Sequence, residues 1–311
     1  MALQYATPYA FRAALRDRFG AFTNGDHGLR VEEMQRQFAY DRVLARCFAG
    51  PDADRWVLKG AIALLARLDG RARHSKDIDL YYAEPSASIG EAVDAFLAAA
   101  RRDLGDYFRF EISRSSPLQE YARGRRLRLG AYLGARFATF HVDILVGTAI
   151  SGDPDLAGPL TPLSIDGLVR PPYRVFAVAD HLADKLCAIT ETHPRADGTV
   201  MASTRVKDLV DVALIAGSQY VQGPALRRAL ATGASHRGLV LPPRFAVPDL
   251  DAWRTGYTRR AADAPTPVPS FRQAVDLAGR LFDPVLAGPV NASWDPQTAR
   301  WLQRSGLPGA A

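Results

Sequence analysis

Apolar residues recur at helical spacing over residues 30–49, RVEEMQRQFAYDRVLARCFA, and the period predicts a helix there. Residues 57–68, VLKGAIALLARL, are mostly apolar and predict a short helix opened by the Lys59-Gly60 turn. The rhythm then changes. In KDIDLYY, Ile78 and Leu80 alternate with Asp77 and Asp79, the two-residue period of a strand that carries both acids on one face. A further helix is expected over 91–104, and strands over 107–114, 125–135 and 137–146, the last within FATFHVDILVG.

A stretch rich in Pro, Gly and Asp, 151–173, breaks the pattern and is the expected domain boundary. Helical spacing returns in FAVADHLADKLCAIT, STRVKDLVDVALIA, GPALRRALATGAS and FRQAVDLAGRLFDPVL, with AADAPTPVPS (261–270) reading as a linker. No repeat of 20–50 residues is present, which argues against a solenoid. The expected class is α/β (α+β), with a sheet-bearing domain over 1–150, a linker over 151–173 and a mainly helical domain over 174–311.

Two carboxylates at i and i+2 on a strand have Cβ atoms roughly 7 Å apart on the same side and can share a hard divalent cation. Mg²⁺ is usually held by one or two carboxylates together with substrate phosphates. Asp143 is the natural third acid, because it lies in the apolar strand FHVDILVG, where an unpaired carboxylate is costly to bury. The alternative for an isolated D-x-D is the solvated face of an edge strand. Lys59-Gly60, Ser75 and Asp143 favour the metal site. Lys59-Gly60 at a helix N-terminus also offers backbone N–H groups to phosphate oxygens, although the P-loop spacing is missing.

At 311 residues the chain accommodates one large domain or two ordinary ones. With 48% hydrophobic and 23% charged residues, wholesale disorder is excluded. No apolar run approaches the roughly 18 residues that cross a bilayer, and the N-terminal segment lacks a secretory pattern, so a cytoplasmic protein with no membrane partner is expected. Cys47 and Cys187 sit among apolar residues without C-x-x-C spacing, which predicts buried thiols and no zinc. The net charge of +6 is carried mostly by arginine, which suits phosphate recognition but also follows from a high-GC coding sequence. Charge therefore permits a nucleic-acid partner without demonstrating one.

VLKGAIALLARLDGRARHSKDIDLYY resembles the opening motif of the AbiEii/AbiGii-type toxins, a branch of the DNA polymerase β-like nucleotidyltransferases. That motif runs K-G-G, an apolar helix with Arg, then [ST]-x-D-[IV]-D-[LF]. HLADKLCAI is similar to the branch's lysine motif, RVKDLVDVALI to its R-x-K-D-L-x-D helix, and FDPVLAGPVNASWDPQTARW to its C-terminal Pro/Trp segment. The resemblance spans most of 55–305 in the same order. One departure stands out: Ala61 replaces the second glycine of K-G-G, so backbone approach to a phosphate is less free.

The resemblance implies a mixed-sheet nucleotidyltransferase core, Mg²⁺ as cofactor and a nucleoside triphosphate as substrate. Asp77 and Asp79 would hold Mg²⁺, and Asp143 would ligate the catalytic metal near the attacking hydroxyl. Lys59, Gly60 and Ser75 would meet the phosphates. Lys185 would clamp the triphosphate, with Asp208 orienting Lys185 or the nucleotide, and Asp211 sharing the Asp208 helix face in the nucleotide-binding set. His74 and His141 are expected as polar neighbours, and nothing supports a Ser-His-Asp triad. Similarity to MenT-type toxins implies the tRNA 3′ end as acceptor, with aminoacylation and translation blocked. It also implies a cognate antitoxin as partner, one that phosphorylates Ser75 and thereby places negative charge in the triphosphate site. Arg123, Arg125, Arg126, Arg128, Arg259 and Arg260 would contact tRNA phosphates, and a monomer is expected. The rival readings are transfer to an aminoglycoside-like small molecule or to a protein, and an inactive interaction module.

Overall fold

The computed structural model describes residues 3–24, 30–73, 75–118, 123–194, 197–262 and 268–303. The chain is mixed α/β, with nine α-helices among these residues. It divides into two compact units. One holds the described residues of 1–70, 74–148 and 156–175, the other those of 71–73, 149–155 and 176–311.

In the first unit, Thr7 accepts a hydrogen bond from the Ala10 N–H and Pro8 fills the first turn, which fixes the start of α1 (Pro8–Thr23). Helix α2 (Val31–Phe48) occupies the span predicted from its period. Its C-terminal half is buried all round, and the charges it carries there are matched. Arg42 and Arg46 bond Asp106 at 2.8 and 2.7 Å. Asp41 accepts from the Leu160 and Thr161 N–H groups and from the Thr161 and Tyr173 hydroxyls. Those bonds anchor part of the expected linker, 151–173, to the first unit.

A one-turn 3-10 helix (Ala53–Arg55) leads into strand β1 (Trp56–Lys59), which is buried throughout. Residues 57–59 were expected to be helical, so this is a correction. A strand of four residues buried on both faces has no alternation to display, and the apolar run of the following helix α3 (Gly60–Arg67) conceals the boundary. Then come β2 (Asp77–Tyr82), α4 (Ile89–Ala100), β3 (Arg109–Pro117), β4 (Gly124–Leu133), β5 (Ala135–Leu145), β6 (Asp155–Ala157) and β7 (Tyr173–Val175). Ser88 and Glu91 close a capping box on α4, so it begins two residues before the predicted start and ends at Ala100 rather than 104.

The seven strands form one sheet in the order β3-β4-β5-β2-β1-β7-β6. It is mixed: β5 with β2 and β1 with β7 are parallel, while β3–β4, β4–β5 and β2–β1 are antiparallel. One face is apolar, with Leu58, Ile78, Leu80, Leu127, Val142 and Ile144 all buried. Period-two alternation sends their neighbours Lys59, Asp77, Asp79, Arg126, Arg128, His141 and Asp143 to the other face.

The second unit is built on α5 (Val178–Thr190), α6 (Val206–Ala216), α7 (Gly223–Arg237), α8 (Leu250–Ala262) and α9 (Phe271–Ala287). A two-stranded antiparallel sheet, β8 (Thr192–Pro194) and β9 (Val200–Ala202), and a three-stranded sheet, β10 (Val221–Gln222), β11 (Ala292–Asp295) and β12 (Arg300–Gln303), complete it. Trp294 is fully buried and donates to the Ala216 carbonyl at 2.7 Å, fastening the C-terminal Pro/Trp segment to α6. Of the expected linker 261–270, residues 261–262 end α8, 263–267 lie outside the described residues, and 268–270 precede α9.

Candidate active site

The polar face of the large sheet carries its charges in rows set by strand register. Lys59 on β1 faces Asp79 on β2, Asp79 faces Asp143 on β5, and Asp143 faces Arg126 on β4. Two residues along, Asp77 faces His141, which faces Arg128, which faces Arg114 on β3. Directly opposed residues share a face and lie about 5 Å apart. Three carboxylates therefore collect at the centre, with cations on both flanks.

Asp143 is 8% exposed and Asp77 34%. Arg126 reaches over both. Its Nε donates to Asp143 Oδ1 at 2.8 Å, and one Nη donates to Asp143 Oδ2 at 2.7 Å and to Asp77 Oδ2 at 3.3 Å. Hydrogen bonds to Asp143 hold the guanidinium charge more firmly than water does, raising Arg126 above the usual arginine range. His141 Nδ1 lies 3.2 Å from the other Asp77 oxygen. His74 lies outside the described residues.

The Lys59-Gly60 turn leads from β1 directly into α3. Gly60 has φ +68°, and a Cβ there would overlap Asp79 Oδ2. The left-handed backbone favours glycine, and a Cβ there would push the Asp79 carboxylate aside. Ala61, in the first turn of α3, is buried. Ser75 Oγ donates to the Asp77 carbonyl at 3.1 Å, closing a small turn ahead of β2. Tyr40 holds that turn from α2 by donating to the Ser75 carbonyl at 3.2 Å. Burial pushes the Tyr40 phenol well up, so it remains a donor.

The donor set suits a hard divalent cation: three carboxylates on one face of two neighbouring strands, with no sulfur and one imidazole at the edge. Among the described residues, no group of three or more His, Cys, Asp and Glu side chains is closed around a metal position. Instead a guanidinium sits against Asp143 and Asp77, a stand-in for positive charge at that spot. The residues fit a cation on chemistry.

In the second unit Lys185, Asp208 and Asp211 come together in the interior. Lys185 Nζ is 2.8 Å from Asp208 Oδ1 and 2.8 Å from Asp211 Oδ2. Arg205 reaches the other Asp208 oxygen at 2.7 Å, and Arg73 forks onto Asp211 at 2.7 and 2.9 Å. Burial pulls the Lys185 ammonium down, but the two facing carboxylates outweigh it and hold it above the ordinary lysine range. Burial pushes both aspartates up, and Lys185 with its flanking arginines outweighs that, so both lie below the usual carboxylate range. The neighbouring Asp184 points elsewhere and pairs with Arg237 at 2.6 Å.

Sequence reasoning missed the alliance of Arg126 with the acids and the part played by Arg73 and Tyr40. No spacing rule links Arg126 to Asp143; only the β4–β5 register does. Of the other arginines, Arg128 shares the site face, Arg125 faces Ile144 on the opposite one, and Arg259 and Arg260 are exposed near the end of α8.

The site thus combines a D-x-D strand, an in-register third aspartate and a Lys-Gly turn on one mixed sheet. The family described as nucleotidyl transferase AbiEii toxin, type IV TA system, matches residues 42–277. The chain belongs to that family of toxin nucleotidyltransferases. No curated protein matches the sequence. Among solved structures it is similar to JHP933 from Helicobacter pylori, with 14% identity over 83% of this chain and 93% of that one at a TM-score of 0.45. It is also similar to an H. pylori protein assigned as a nucleotidyltransferase, with 13% identity over 83% and 97% of the two chains at a TM-score of 0.41.

Proposed function

We propose that this protein is a cytoplasmic, Mg²⁺-dependent toxin that transfers a nucleoside monophosphate from a nucleoside triphosphate to the 3′ end of tRNA, blocking aminoacylation and translation until its antitoxin intervenes. The observation that carries the metal chemistry is the in-register set Asp77, Asp79 and Asp143 on parallel neighbouring strands. Family membership supports the toxin, the nucleotide and the antitoxin. The tRNA acceptor rests on the likeness of the motifs to MenT-type toxins.

Asp77, Asp79 and Asp143 would hold the metal, whose charge would neutralise the triphosphate and lower the barrier to attack at the α-phosphorus. Around that centre each side chain has its own task. The acceptor 3′-oxygen forms a bond to the α-phosphorus as the bond to pyrophosphate breaks, and the hydroxyl proton passes to Asp143 or to water. Gly60 and the first turn of α3 direct N–H groups at phosphate oxygens. Lys59 adds positive charge on the same side. Tyr40 fixes the turn that carries Ser75. A phosphate on Ser75 would set negative charge two residues before Asp77 and oppose triphosphate binding. In the second unit Asp208 and Asp211 keep Lys185 charged in the interior.

The test is incubation with each labelled triphosphate, Mg²⁺ and total tRNA. Label is expected on tRNA with an intact 3′-terminal ribose and not on tRNA whose terminal diol has been oxidised with periodate. Equal labelling of both would remove the 3′ end as acceptor. Labelling of an aminoglycoside or a protein in place of tRNA would favour the rival acceptors.

A further inference from the structure

We propose that Arg126 is a resident counter-cation of the acidic centre, holding the place of the metal until a metal–triphosphate complex arrives and then moving its guanidinium from the carboxylates onto the triphosphate. The inference rests on the reading that Asp77, Asp79 and Asp143 form a metal site.

Three carboxylates on one face of two adjacent strands repel one another, most strongly where burial weakens screening. Asp143, at 8% exposure, is the costliest to leave uncompensated. Arg126 answers this directly. It stands opposite Asp143 in the β4–β5 register, binds both Asp143 oxygens in a fork and extends the same nitrogen to Asp77. A divalent ion held by Asp143 and Asp77 would need the oxygens to which Arg126 donates. The two cations compete for the same oxygens.

Arg126 can yield without a change of fold. Its side chain is 40% exposed, so a change of rotamer carries the fork outward along the polar face. A planar fork that matches a carboxylate matches a phosphate equally well, so the displaced group has a new partner when the metal comes with a triphosphate and none when it comes alone. Metal and nucleotide binding are thereby coupled through one side chain, and by linkage each strengthens the other.

The experiment is Mn²⁺ binding, read by electron paramagnetic resonance on the full chain with and without a non-hydrolysable triphosphate analogue. Wild type, Arg126→Gln, Arg126→Lys and Asp143→Asn are compared. For Arg126→Gln, Mn²⁺ alone is expected to bind roughly tenfold tighter than to wild type, as removal of a competing charge requires. The gain on adding analogue should shrink, since the phosphate partner is gone. Arg126→Lys, which keeps the charge but loses the fork, should remain close to wild type for Mn²⁺ alone and resemble Arg126→Gln in its weakened response to analogue. Thermal melting in EDTA gives a second readout: Arg126→Gln should melt lower than wild type, and Mn²⁺ should restore it. If Arg126→Gln binds Mn²⁺ no tighter than wild type while Asp143→Asn abolishes binding, the metal site stands and the counter-cation role is overturned. If neither wild type nor Arg126→Gln binds Mn²⁺ with analogue present, the metal reading itself fails.

Discussion

Gly60 and Asp211 show how much a single position holds in each unit. At Gly60 the backbone is left-handed and Asp79 lies where a side chain would begin. Gly60→Ala costs about 1–2 kcal/mol in backbone strain and must displace Asp79 as well. The expected outcome is a modest fall in melting temperature and a much larger loss of transfer. Normal transfer by Gly60→Ala would show that the Asp79 position is irrelevant. Asp211 has its carboxyl held below the usual range by Lys185 and Arg73, so its contribution is complete above the unfolded carboxylate value near 4 and is lost as pH falls below it. Asp211→Asn leaves Lys185 and Arg73 short of a partner and should destabilise the protein by about 3–5 kcal/mol at neutral pH. Denaturant melts should also show a flatter decline in stability between pH 5 and 3 for this variant, because the group that gains a proton is gone. A decline as steep as that of the wild type would place the acid sensitivity elsewhere.

At the scale of elements, what could be read depended on length and on where partners lie. Helix α9 was legible because Phe271, Ala274, Leu277, Ala278, Leu281, Phe282 and Val285 repeat at three- and four-residue spacing, and all are buried. Helix α8 was not, since only Trp253, Tyr257 and Ala261 mark its inner face among charged neighbours. Strands β10, β11 and β12 are two to four residues long and carry no period. Alternation exposed Asp77 and Asp79 as a pair, and an acid in an apolar strand exposed Asp143. Register alone joins them to Arg126, and register is a long-range property that a single strand does not contain. The same register sorts the arginines of β4. Arg128 and Arg114 share the site face, whereas Arg125 does not. If nucleic acid follows that face, Arg114→Ala and Arg128→Ala should each lower the slope of log affinity for tRNA against log salt by about 1, and Arg125→Ala should leave it unchanged. Filter binding across a salt series checks this, and equal effects at all three would dissolve the track.

For the whole molecule, the family match from residue 42 to 277 takes in every candidate from Lys59 to Asp211 and runs through both compact units. No described helix is long and apolar enough to cross a membrane, and the net charge of +6 is consistent with a polyanionic acceptor. The central claim is that Asp77, with Asp79 and Asp143, drives transfer from a triphosphate to an RNA terminus. The measurement that reaches it most directly is labelled-nucleotide transfer to total tRNA in Mg²⁺, run side by side with wild type and an Asp77→Ala protein whose melting curve shows it folded. Wild type should label the tRNA 3′ end, and Asp77→Ala should lose that activity by roughly 100-fold or more, the scale on which removal of a transition-state charge stabiliser is felt. A folded Asp77→Ala protein that labels tRNA as well as wild type would contradict the account.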